Sequence, residues 1–170
     1  MKNFTSMSIF AGLLIGIGGL IYLRVGGVAG AVLFAFGLLC VVMCGAQLFT
    51  GKAGFLPYKD APKLLLMLLG NGVGCALAAL IASYCCTESL IANLDAIVNA
   101  RLNASWHKLL VTSAGTGMIM TLAVYGARQK HYLPLLFGVP TFILCGLPHC
   151  VADAFYYITA VFYGNFEWAL

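Results

Sequence analysis

His149 stands where this sequence concentrates groups able to do chemistry. It lies in Gly146-Leu147-Pro148-His149-Cys150-Val151-Ala152-Asp153, an interruption inside a long apolar run. An ionisable side chain at membrane depth is costly unless it is paired or wetted, so by default it marks a functional site. Imidazole titrates near neutral pH and can exchange a proton with a weak acid in transit. If the helix resumes after Pro148, Asp153 falls four residues on and shares a face with His149, where it could orient or charge the ring. A second interruption, Gly45-Ala46-Gln47-Leu48-Phe49-Thr50-Gly51, comes near the end of an earlier apolar run and offers the Thr50 hydroxyl as a partner for the same imidazole. Phe34, Leu38, Leu48 and Phe142 are bulky apolar residues near the two breaks, of the kind that forms a hydrophobic constriction. The plainer alternatives are a neutral histidine bonded to backbone, a threonine bonded to its own helix, and apolar residues that only pack.

Only a membrane protein makes these placements meaningful. Of the 170 residues 62% are hydrophobic and 8% charged, with a mean hydropathy of +1.00, whereas a soluble domain needs roughly a quarter of its residues charged. Five apolar runs are long enough to cross a bilayer, at 7–23, 28–49, 63–84, 109–125 and 133–163. The last exceeds one straight span and is interrupted by Pro134, Pro140 and Pro148, with the main break expected at Gly146-Leu147-Pro148. Non-helical backbone at such depth survives only where protein buries it or where it lines a watery path. Two interrupted segments at corresponding places of two halves point to a transport site between inverted repeats.

The first span carries no cleavage pattern and is expected to stay. With a cytoplasmic N-terminus, Lys2, Lys52, Lys59, Lys63, Arg128 and Lys130 lie inside and Arg24, Arg101 and Lys108 outside, which satisfies the positive-inside rule. The more polar stretch 86–108 contains Leu90, Ile91, Leu94, Ile97 and Val98 at helical spacing and predicts a short amphipathic helix on the outer surface. Gly12, Gly16, Gly19, Gly70 and Gly74 have the spacing that lets helix backbones approach closely in lipid.

Several classes drop out. The seven cysteines sit mostly in apolar runs, where they act as small hydrophobes rather than as a disulfide framework. Cys145, His149, Cys150 and Asp153 mix thiol, imidazole and carboxylate, the ligands of a zinc or copper site, but form one compact group without a partner cluster, so no metal is expected. The sequence has no nucleotide-binding loop, no paired carboxylates and no nucleophile with a base, so neither an enzyme nor a cofactor is expected. The scattered basic residues read as topology and not as a nucleic-acid surface.

The run from Gly37 through Gln47-Leu48-Phe49-Thr50-Gly51, then Leu122-Ala123-Val124-Tyr125, then Cys145-Gly146-Leu147-Pro148-His149 closely resembles the formate/nitrite transporter family. The resemblance implies an aquaporin-like inverted-repeat bundle of all-α membrane spans, interrupted in the second and fifth. It implies a homopentamer with one pore per protomer, passing small monovalent anions such as formate, nitrite, hydrosulfide, acetate or lactate together with protons. Carried over by motif, Thr50 sits in the loop interrupting the second span, His149 becomes the central pore histidine, and Phe34, Leu38, Leu48 and Phe142 form the apolar constrictions. Arg101 and Lys108 supply the outer positive field, and the anion is neutralised near His149.

The chain departs from the family pattern at Pro148, where Glu is usual, at Asp153, where Asn is usual, and at Gly117, which replaces an Asn. A carboxylate beside an anion path repels the anion unless it is protonated or paired. The expected organisation is one transmembrane domain over 1–170, with a first repeat at about 7–84 and an incomplete second at about 107–170, in the inner (plasma) membrane. About five spans are present where the family has six. The alternative function is therefore a non-conducting relative serving as a structural or regulatory subunit.

Overall fold

The structure, a computed structural model, describes residues 3–55 and 57–164. These are all helical or loop. α1 (Phe4–Val25) begins at Asn3, whose side chain accepts the Thr5 N–H, and ends at Gly26. α2 (Gly27–Cys44) stops at the first break and the chain resumes as the four-residue α3 (Phe49–Lys52). α4 (Ala61–Tyr84) crosses back. α5 (Glu88–Leu102), opened by a Thr87 cap, is the amphipathic connector. α6 (Trp106–Arg128), α7 (Leu133–Leu144) and α8 (Cys150–Phe162) follow, with the second break between the last two.

α1, α2, α4 and α6 are each long and apolar enough to cross a membrane. α7 and α8, too short alone, complete a fifth crossing through the break. Thus the second and fifth spans are the interrupted ones, as the Gly and Pro placements require. Pro134 opens α7 and Pro140 is accommodated within it, so only Pro148 coincides with a break.

Both breaks close in the same way. Gly45 (φ 69°) and Gly146 (φ 65°) take left-handed backbone that favours glycine. Behind them the Ala46 N–H donates to Val41 O and the Leu147 N–H to Phe142 O, each at 2.9 Å, the bond that closes a glycine-ended helix. The two glycines are 101 residues apart, and the repeated unit is what an inverted repeat predicts.

Glycine also sets the distance between α1 and α4. A Cβ on Gly12 would run into the backbone of Asn71, and one on Gly74 into the backbone of Ile9 and Leu13. That approach carries Asn71 to the first break. Its amide donates to Ser8 O (2.7 Å) and Gln47 O (2.9 Å), and its Oδ1 accepts the Phe49 N–H (2.9 Å). One fully buried side chain therefore bonds α1 and the backbone on either side of Leu48, where the loop passes into α3.

α5 buries Leu90, Leu94 and Val98 against α1 and α8, and Asn93 Nδ2 caps the end of α1 by donating to Leu23 O (2.9 Å). Leu65, Leu69 and Val73 of α4 and Met118 and Leu122 of α6 face outward, as suits lipid or another subunit.

Gly72 has nothing within 4 Å of a built Cβ. Gly72→Ala should leave the melting temperature in detergent unchanged or raise it, since Ala is favoured in helices by roughly 0.5–1 kcal/mol. Gly74→Ala, two residues on, should lower it by the equivalent of about 1–3 kcal/mol because the helices must separate. Asn71→Leu takes the side-chain partner from Gln47 O and from the Phe49 N–H and should cost about 2 kcal/mol or more in the same measurement.

Candidate functional site

His149 is the N-cap residue of α8 and is 2% exposed. Its Nδ1 accepts the Ala152 N–H at 3.1 Å, while its own backbone N–H donates to Asp153 Oδ2 at 3.0 Å. This reciprocal cap satisfies two of the donors that a helix start leaves free. Asp153 therefore orients the backbone at His149 and does not touch the ring, although the two residues lie on one helical face as their spacing required. Because Nδ1 is an acceptor, the neutral ring carries its proton on Nε2. That atom is 3.0 Å from Thr50 Oγ1, delivered from the other half of the chain by the α3 turn. The site is a buried imidazole–hydroxyl pair held between the two breaks.

The four apolar residues belong to one buried core cluster, and two of them lead to the ring. Phe142 stacks on the His149 ring at 5.2 Å between centroids, and Phe34 meets Phe142 edge-on at 6.2 Å. Leu38 and Leu48, like the two phenylalanines, are almost wholly buried.

A cavity of about 190 Å³ reaches Phe142 and His149 past Tyr22, Arg101 and Asp153. Another, of about 250 Å³, ends on Leu38 and Leu48 and is lined by Lys52 and Arg128. The two cavities approach the same layer from different sets of elements. A third, about 630 Å³, opens Thr50 and His149 sideways along α6, beside Ser113, Gly117 and Thr121.

Arg101, in the last turn of α5, donates from Nη1 to Gly146 O (2.8 Å) and from Nη2 to Leu147 O (3.2 Å), and its Nε lies 3.4 Å from Asp153 Oδ1. Lys108 sits exposed in the first turn of α6. Lys52 donates to Gln47 Oε1, and the Arg128 guanidinium stands 4.2 Å over the Phe55 ring. Among the described residues neither of these last two cations has a carboxylate partner, whereas Lys63 is paired with Asp60 at 2.6 Å.

Sequence reasoning placed Lys52 and Arg128 only as topology markers and did not see Asn71 as a brace. The available signal was a lone amide inside an apolar span. Among the described residues no three His, Cys, Asp or Glu side chains come together as a metal site, so Cys145, His149, Cys150 and Asp153 do not converge.

The arrangement offers a hydroxyl donor at Thr50 Oγ1 backed by the His149 Nε2–H, the positive end of the α8 dipole at the same point, and apolar walls that disfavour a bare charge.

Comparison with known proteins agrees with the architecture. The chain is 28% identical over 158 residues to the uncharacterized transporter YrhG of Bacillus subtilis, covering 82% of this chain and 59% of that protein. It is 28% identical over 207 residues to a formate-nitrite transporter of Entamoeba histolytica, covering all of this chain and 57% of that one. The chain thus spans under three fifths of the length of these two relatives. Among solved structures, a pentameric formate channel with formate bound superposes with a TM-score of 0.86 at 23% identity, covering 96% of this chain and 76% of that one. An FNT family ion channel superposes at 0.81 with 22% identity, over 94% and 74%. The profile of the formate/nitrite transporter family matches residues 1–170, and the chain belongs to that family.

Proposed function

We propose that the chain forms a membrane pathway for small monovalent weak-acid anions, in which the anion is neutralised beside His149. The observation that carries this reading is the buried Thr50–His149 pair set between two cavities and walled by Phe34, Leu38, Leu48 and Phe142. A bare anion cannot cross the apolar layer cheaply, but the same molecule as a neutral acid can. At the layer, the Nε2–H donates to Thr50 Oγ1, and the Thr50 hydroxyl proton is offered to the approaching anion and holds it while a proton reaches it. With Nδ1 holding the Ala152 N–H, His149 rests neutral, and charging it requires releasing the first turn of α8. The proton therefore comes through water in the cavities and passes at the Nε2–Oγ1 pair.

Lys52 and Arg128 at one mouth, and Lys108 toward the other, provide the positive field that gathers anions, the Arg101 charge being taken up by Asp153. Formate and nitrite fit this chemistry first, with hydrosulfide, acetate and lactate ranked by width, since each added methylene or apolar contact shifts selectivity by only about 1–3 kcal/mol. The proposed assembly is a homopentamer in the inner (plasma) membrane with the N-terminus cytoplasmic. The proposed organisation is a single transmembrane domain over 1–170, built of two repeats at about 7–84 and 107–170.

A second reading, a non-conducting structural or regulatory partner, is favoured by the cavity of about 630 Å³ that leaves Thr50 and His149 open along α6. Flux decides between the two.

In proteoliposomes, weak-acid uptake by the wild-type chain should rise as the pH falls. His149→Ala should alter that pH dependence, and Thr50→Val should lower the rate about tenfold, the worth of one hydrogen bond of roughly 1.4 kcal/mol. A folded, oligomeric sample that passes neither formate nor nitrite would overturn the transport reading in favour of the partner role. Leu38→Ala and Phe142→Ala should shift the ranking toward acetate and lactate, measured as relative uptake rates against formate. An unchanged ranking would remove these residues from the constriction.

A further inference from the structure

We propose that Arg101 is the positioning residue of the second break: locked to Asp153, its guanidinium holds the loop so that His149 meets Thr50. This rests on the reading of the Thr50–His149 pair as the working centre.

A break leaves backbone groups unpaired, and the two breaks of this chain meet that need differently. At the first break Asn71 meets that need with a neutral amide. At the second, the corresponding place is taken by a charged side chain from a different element. Arg101 reaches the incoming strand of the loop at Gly146 O and Leu147 O and the outgoing helix at Asp153, whose second oxygen holds the His149 N–H. His149 is thus enclosed between two points gripped by one planar fork.

The fork is what suits guanidinium to this place. Its donors diverge in fixed directions and can serve two carbonyls and a carboxylate together, whereas an ammonium is a point charge on a flexible stem. Arg101 in turn is carried by α5, which is fixed by Leu90, Leu94, Val98 and the Asn93 bond to the end of α1. The position of the central imidazole is therefore referred to a helix that crosses no membrane. Its side chain is only 14% exposed and faces a 12% exposed carboxylate, so its charge is largely spent inside the protein.

A brace and a mere source of positive field differ in what lysine can replace. The experiment is hydrogen exchange by mass spectrometry, run alongside formate uptake, on the full chain in lipid for wild type, Arg101→Gln, Arg101→Lys, Asp153→Asn and Asn71→Ala. Arg101→Gln and Arg101→Lys should each speed exchange over 146–153 by about tenfold and leave 45–50 as in wild type, while Asn71→Ala does the reverse. Uptake should fall about tenfold in both Arg101 variants, with no rescue by lysine.

Unchanged exchange over 146–153 in Arg101→Gln, or recovery of exchange and uptake by Arg101→Lys, would overturn the brace. Should Arg101→Gln fail to fold, Asp153→Asn carries the test. Its amide oxygen can still take the His149 N–H but loses the ion pair, so a several-fold rise over the same segment is expected and wild-type exchange would overturn the proposal. Exchange does not depend on transport: the expected pattern in a chain that passes no anion would leave the brace standing while the transport reading fell.

Discussion

Backbone at membrane depth has to find its hydrogen-bond partners inside the protein, and two spans of this chain are broken there. Much of the architecture follows from meeting that requirement twice. The left-handed glycines Gly45 and Gly146 end the helices with the same closing bond, and the residues beyond them are taken up by side chains from elsewhere. At the first break the partner is Asn71, and it reaches both Ser8 O and Gln47 O because Gly12 and Gly74 let α1 and α4 approach to backbone contact. A small-residue stripe and a buried amide, separate facts in the sequence, are thereby one device.

The second break is met with charge. A carboxylate beside an anion path repels the anion unless it is paired, and the structure shows what becomes of the one on Asp153. Asp153 accepts from Arg101 and from the His149 backbone, so it does not stand alone beside the proposed path. Removing one partner of such a buried pair is far more damaging than the pair is stabilising, because the remaining charge has nowhere to go. Arg101 is then a poorer collector of anions than its sign suggests. Lys52 and Arg128, which have no carboxylate partner among the described residues, line the cavity at the other mouth.

The centre itself is quiet by default. A ring whose Nδ1 caps a helix and whose Nε2 meets a hydroxyl has both nitrogens committed, and the Phe142 ring covers its face. The Thr50 hydroxyl that it supports can donate to a passing anion without the ring first changing charge. Charging it means giving up the cap, which couples any protonation to the start of α8.

Composition and periodicity alone determined the all-helical membrane class, the five apolar runs and the two breaks, because a span needs about 20 apolar residues and glycine or proline interrupts it visibly. The Leu-Phe-Thr-Gly and Gly-x-x-His elements pointed to the family, and they singled out Thr50 and His149 as residues that would meet. What tertiary structure alone decided is the partner of each polar group. Sequence spacing put Asp153 on the face of His149, yet the carboxylate bonds the backbone while Ala152 takes the ring, since a helix start presents its free N–H groups just there. Arg101 looked like an outer field charge, and Asn71, next to Gly70, was given no role. Their bonds run to backbone 45 and 24 residues away, a distance that local pattern does not encode and only the packing of α5 and α4 supplies.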